Sequence, residues 1–203
     1  MGKQFLDSMA REGCGIVPEK DHYKLVAKEL TDCVSPPGLE LFRWTLKYLR
    51  EKGVKDIVRL KAPITGPFTL ASCIETGPGV FPFNRAVSDL KLVEQIARIL
   101  DKSCREASEQ ADLVSIDEPI LGTVVGGRVA LKCSEEDIIE VYNTVKKACG
   151  DKAAGTHICG RISPRLAKIL LQTDLGFLSH EFYDTPTNMD VYVPKEVQQS
   201  GKI

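Results

Sequence analysis

The sequence predicts an α/β fold of the (β/α)8 TIM-type barrel class, present as a partial barrel of about four strand–helix units. Three observations lead there. Short apolar stretches alternate with amphipathic helical ones, which implies parallel strands joined by right-handed crossovers. Each strand candidate is followed directly by polar or turn-forming groups, as on the C-terminal face of a barrel. No Gly-x-Gly-x-x-Gly follows any strand, which weakens the competing doubly wound nucleotide fold.

The elements follow in chain order, within one domain spanning residues 1–203. Residues 1–54 read as a helical lead-in, with at most helix and loop before Thr31. Ser35-Pro36 opens a helix that runs through Leu41, Trp44, Leu46 and Leu49 and stops at Gly53. The core spans 55–188. Its first strand is Lys55 to Pro63, leading into Thr65-Gly66-Pro67. Asn84 to Gln110 carries Val87, Leu90, Val93, Ile96, Ala97 and Leu100 at helical spacing. The second strand, Ala111 to Ile116, stops at Asp117-Glu118-Pro119. Ser134 and Asp137 form a capping pair before Ile138, Val141, Tyr142 and Val145, with Gly150 after the helix end. The third strand is Lys152 to Cys159. Ser163-Pro164 is an N-cap with proline at the first helical position, and the fourth strand is Leu175 to Glu181. Residues 189–203 read as a tail without a strand.

A complete barrel takes ~250 residues, and four strands in an open sheet would leave two edges unpaired. The expectation is a piece of a larger barrel, ahead of one that closes with another chain.

Bulk properties narrow the function. Lys plus Arg is 27, Asp plus Glu is 28, and the net charge is −1. No run of five like charges points to nucleic acid or an anionic membrane, and no apolar stretch approaches the ~20 residues of a spanning helix. Met1 to Gly13 lacks the apolar centre of a signal peptide, and the Met1-Gly2 start lacks the Ser or Thr expected of a myristoylation signal. Seven cysteines, an odd number without disulfide rhythm, fit a reducing cytosol. The location expected is cytoplasmic.

His157, Cys159 and Glu181 are the candidate metal ligands. Residues i and i+2 of a strand share a face, so His157 and Cys159 can converge on one ion. Imidazole, thiolate and carboxylate are all zinc ligands. Glu181 lies one strand-plus-helix unit further on. The pair also reads as a buried thiol beside a core histidine. Asp117 and Glu118 equally suit an acidic helix-starting turn, and Thr65 and Gly66 a simple turn. Arg161 and His180 flank the ligands, as partners that orient them or as solvated groups. Cys73 is a candidate substitute ligand; the other cysteines carry no role, His22 reads as a surface histidine, and Trp44 reads as core.

Four pieces together resemble the cobalamin-independent methionine synthase family: Ile64-Thr65-Gly66-Pro67-Phe68-Thr69, Ser115-Ile116-Asp117-Glu118-Pro119, Thr156-His157-Ile158-Cys159 and His180-Glu181-Phe182. The likeness is strongest to short archaeal-type members with only the catalytic barrel, within the superfamily that also holds uroporphyrinogen decarboxylases. The resemblance implies a zinc-dependent S-methyltransferase that converts homocysteine to methionine. It assigns zinc to His157, Cys159 and Glu181. It gives Asp117 the substrate's α-ammonium group, with Glu118, Thr65 and Gly66 lining the pocket. The family's fourth ligand is a cysteine on a later strand, and here no cysteine follows Cys159. The family's acidic group on the first strand likewise has no counterpart. The methyl donor implied is a methyl-corrinoid protein or methyltetrahydrofolate, with a slight lean to the former.

Three other functions compete. A corrinoid-dependent methyltransferase to coenzyme M shares the zinc chemistry but needs a cationic pocket for a sulfonate. A uroporphyrinogen-decarboxylase-like lyase uses no metal. A non-catalytic partial barrel would bind or regulate.

Overall fold

The computed structural model describes residues 2–54 and 59–203. The chain forms α1 (Lys3–Arg11), β1 (Ile16–Pro18), β2 (Tyr23–Leu25), α2 (Glu40–Glu51), β3 (Lys61–Thr65), α3 (Pro67–Ser72) and β4 (Ile74–Glu75). It continues with α4 (Leu90–Ile99), α5 (Asp101–Gln110), β5 (Leu113–Asp117), α6 (Pro119–Val124), α7 (Glu135–Ala148), β6 (Ala153–Ile158), α8 (Pro164–Leu171), β7 (Phe177–His180) and α9 (Pro194–Ser200). The α/β class and the parallel sheet are as expected.

The main sheet is parallel, ordered β3-β5-β6-β7 with strands in sequence order. One face is dry: Ile64, Val114, Ile116, Ala154, Thr156 and Ile158 are wholly buried. Helix α7 packs there, and its Tyr142 hydroxyl meets Thr156 Oγ1 at 3.0 Å. The alternation then turns Lys61, Pro63, Ser115, Asp117 and His157 to the opposite face, where Lys61 and Pro63 are exposed. Gly155 is needed on that face, because a Cβ there would collide with the ring and carbonyl of Phe177 on β7.

The predicted strands lie in place with shifted ends. The first starts at Lys61, and residues 55–58 of the predicted stretch lie outside the described residues. β5 extends to Asp117 because ladder bonding continues past the apolar run: Gly66 N–H donates to Asp117 O and Glu118 N–H to His157 O, both at 2.9 Å.

The lead-in differs more. Residues before Thr31 supply two strands of a second sheet, β1-β2-β4, with β1 antiparallel to β2 and β2 parallel to β4. Strands of three and two residues carry too little pattern to read, and β2 finds its partner about fifty positions away. The helix expected from Ser35-Pro36 begins at Glu40 instead. Gly38 has a left-handed φ of 75° and lies against the Phe5 ring, where any side chain would collide. The chain must complete that turn before the helix can start. Trp44, expected in the core, is exposed and stacks on Tyr48 with ring centroids 5.3 Å apart; Leu46 is the buried residue of α2. The long helical stretch to Gln110 divides at Asp89, which caps α4 through Lys91 N–H, and again at Leu100 between α4 and α5.

The capping predictions hold. Ser134 and Asp137 form a reciprocal capping box on α7. Ser163 Oγ accepts from Leu166 N–H at 3.0 Å, with Pro164 opening α8. No helix among the described residues is long and apolar enough to cross a membrane.

Candidate functional site

The strand register builds a single row at the C-terminal edge of the sheet. Thr65 pairs with Asp117, Asp117 with His157, and His157 with Ser179. Side chains in register on parallel strands share a face. Cys159 and Glu181 follow two residues beyond His157 and Ser179, where the chain leaves the strands.

His157 and Cys159 are brought together: Nε2 and Sγ lie 3.0 Å apart. The other ring nitrogen, Nδ1, is 3.1 Å from Ser179 Oγ, a contact that fixes the ring's orientation. Cys159 is exposed, yet local burial raises its thiol pKa, and the negative charges of Asp117 and Glu181 raise it further. Glu181 is not gathered with the pair. Its Oε2 accepts from Gly160 N–H at 2.7 Å, bracing the loop that carries Cys159. Asn188, wholly buried, ties the two loops together. Its Nδ2 donates to Gly160 O at 2.9 Å and Glu181 O at 3.0 Å, while its Oδ1 accepts from Ile162 N–H at 2.9 Å.

Asp117 faces the same edge. Its Oδ1 accepts from Ser115 Oγ at 2.7 Å. Burial raises its pKa; the Ser115 hydroxyl and the charges of Lys61 and His157 draw it back. Glu118 points the other way and is fully buried. Its carboxylate accepts from Phe68 N–H at 2.9 Å, Thr69 N–H at 2.7 Å and Thr69 Oγ1 at 2.7 Å. Burial nonetheless pushes its pKa up to about 7. Gly66 permits this approach, since a Cβ there would collide with the Glu118 carboxyl group. Glu118 and Gly66 thus fix the start of α3, and the Glu118 carboxylate is withheld from the open face. Thr65 is buried, with Gly2 lying over its methyl group.

The flanking residues divide. His180 is buried on the helix side, its Nε2 2.6 Å from the Tyr192 hydroxyl, and burial lowers its pKa to about 4. Arg161 is exposed. Cys73 lies in a cleft beside Lys3, His22 and Tyr23. His22 Nε2 contacts Glu75 Oε2 at 3.2 Å. Sequence reasoning passed over Ser115, Ser179 and Asn188. The i, i+2 spacing of Ser115 and Asp117 could have flagged the first; nothing local marks Asn188. Among the described residues, the acidic and thiol groups gathered closely enough to hold one ion are Glu12, Cys14 and Cys33, which lie in the N-terminal unit.

No protein-family profile matches the chain. The chain is 26% identical over 186 residues to a methionine synthase of Methanothermobacter marburgensis, covering 91% of this chain and 56% of that protein. It is 28% identical over 138 residues to a methionine synthase of Methanocaldococcus jannaschii, covering 68% of this chain and 41% of that one. The chain spans about half the length of the curated relatives it matches. A solved structure from Listeria monocytogenes, assigned as a vitamin-B12-independent methionine synthase, superposes with a TM-score of 0.55 at 18% identity, covering 86% of this chain and 51% of that one. The family resemblance carried by the four motifs is borne out.

Proposed function

We propose that this chain carries part of the site of a zinc-dependent methyltransferase that moves a methyl group to the thiol of homocysteine, giving methionine. The observation that supports this most is the convergence of His157 Nε2 and Cys159 Sγ at 3.0 Å on one edge of a parallel sheet. The named relatives supply the reaction class. The sheet is read as part of a (β/α)8 barrel. Its strands run in sequence order, and its second face leaves Lys61 and Pro63 exposed, as a barrel interior cut open would.

The donor set fits zinc. A soft sulfur and an imidazole nitrogen already face one point, the second ring nitrogen is held by Ser179, and two carboxylates are close enough to act on the thiol. Bound zinc would supply the positive charge that keeps both the Cys159 and substrate thiols deprotonated at neutral pH. Glu181, which now accepts from Gly160 N–H, would be the third ligand in this reading.

Asp117 binds the α-ammonium group of the substrate. Ser115 sets the carboxylate's orientation before binding, and partial burial strengthens the charge-assisted hydrogen bond. This acidic group favours an amino-acid thiol over one bearing a sulfonate such as coenzyme M. Thr65 and Gly66 form the neighbouring wall, and Glu118 acts from behind as a positioning residue for that turn. The donor is a methyl-corrinoid protein or methyltetrahydrofolate.

The test is methionine formation by the intact protein from homocysteine, with methylcobalamin and methyltetrahydrofolate supplied in turn. Methionine is expected with one of them. Methyl transfer to coenzyme M with none to homocysteine would count against the reading.

A further inference from the structure

Cys14 and Cys33 lie outside the strand-end site, and their sulfurs approach to 2.8 Å. That is inside ordinary non-bonded sulfur contact. We propose that these two thiols are a disulfide-forming modification site, oxidised by a small disulfide such as oxidised glutathione, and that the bond staples the β1–β2 hairpin.

The approach is imposed by contacts that do not involve sulfur. Thr31 N–H donates to Cys14 O at 3.3 Å, tying the two ends of the hairpin. Glu12 accepts from Val34 and Ser35 N–H, the residues that follow Cys33. Lys102 Nζ donates to Cys33 O at 2.6 Å and Val34 O at 3.1 Å. Both backbones are thereby held where their side chains meet. Cys33 is buried but is also among the residues lining a cleft of about 240 Å³ with Asp32, Arg98 and Lys102, the side from which a small reagent would approach.

The chemistry proceeds in two exchanges. The Cys33 thiolate attacks one sulfur of the small disulfide, forming a mixed disulfide and releasing one thiolate. The Cys14 thiolate then attacks the Cys33 sulfur, forming the Cys14–Cys33 bond and releasing the second. The two protons lost by the protein thiols pass to the released thiolates. The protein thiols are oxidised and the small disulfide is reduced to two thiols. Burial raises both cysteine pKa values, so exchange is slow at neutral pH and faster in mild alkali.

A metal is the competing use of the same atoms. Two features weigh against it: the sulfurs are closer than two ligands of one ion would be, and Glu12 is already engaged by two amides.

The test uses the full chain equilibrated with oxidised glutathione at mildly alkaline pH, then denatured, alkylated and mapped by mass spectrometry. A cross-linked peptide pair containing Cys14 and Cys33, two hydrogens lighter and released by dithiothreitol, is expected. The oxidised protein should melt roughly 5–10 °C higher than the reduced one, as closure of a loop of this size implies, and Cys33→Ser should show no such rise. Full alkylation of both cysteines after equilibration would overturn the proposal. Zinc bound stoichiometrically and lost in Cys33→Ser would overturn it too.

Discussion

Asp117 and Glu118 are adjacent in sequence and opposite in circumstance. Asp117 lies on the open face with Ser115 as a side-chain hydrogen-bond partner, close enough to Cys159 for its charge to reach the thiol. Glu118 is sealed beneath the sheet edge, with its carboxylate accepting three hydrogen bonds from the start of α3. Both pKa values are raised by burial, but only one carboxylate has room for a ligand. The difference comes from strand alternation: one residue of advance exchanges solvent for the interior. The two carboxylates of one motif therefore divide: Glu118 is built into the start of α3, and Asp117 is left on the open face, where the proposed reading gives it recognition.

The largest effect expected on this comparison comes from the buried side. Glu118→Ala removes the acceptor of three buried donors and leaves a cavity, so a loss of ~3–5 kcal/mol is expected in urea unfolding. A loss below ~1 kcal/mol would mean that the contacts are not formed in solution.

The next is a pH effect. Glu118 titrates near pH 7 when folded, against 4.5 ordinarily. Between those values the folded protein holds a proton that the unfolded chain lacks. The Glu118 contribution is therefore complete below about pH 4.5 and is lost as pH rises through 7, an effect of up to ~3 kcal/mol. His180, held near 4, works oppositely as pH falls below 6.5. The informative quantity is accordingly the difference between wild type and Glu118→Gln at pH 5 and pH 8. Parallel pH profiles for the two proteins would contradict the assignment.

The smallest is on the open side. Asp117→Asn keeps the Ser115 hydrogen bond and removes the charge. Stability should change by less than ~0.5 kcal/mol, while kcat/KM for homocysteine in the intact protein should fall roughly 10–100-fold. A larger change in stability than in kcat/KM would reverse the roles assigned to the two carboxylates.

The parallel strands were legible in the sequence because their apolar runs are bounded by turn residues, and the α7 and α8 caps because their signals are local. The β1-β2-β4 sheet was not, since its pairing is between short strands distant in the chain. The start of α2 was hidden for a tertiary reason, the packing of Gly38 against Phe5. At the site, the His157–Cys159 convergence follows from i, i+2 spacing alone. The braced position of Glu181 does not, because it depends on Gly160 N–H and on Asn188 reaching across two loops. The burial of Glu118 could be inferred only once Gly66 was placed beside it.

In the proposed reading, the open face of this sheet edge is a metal site and the sealed side is not. Zinc content of the intact protein after dialysis, measured for wild type, Cys159→Ser and Glu118→Gln, tests it most directly. Stoichiometric zinc in the wild type and in folded Glu118→Gln, with loss in Cys159→Ser, is the result predicted. Full zinc retention in Cys159→Ser would contradict it.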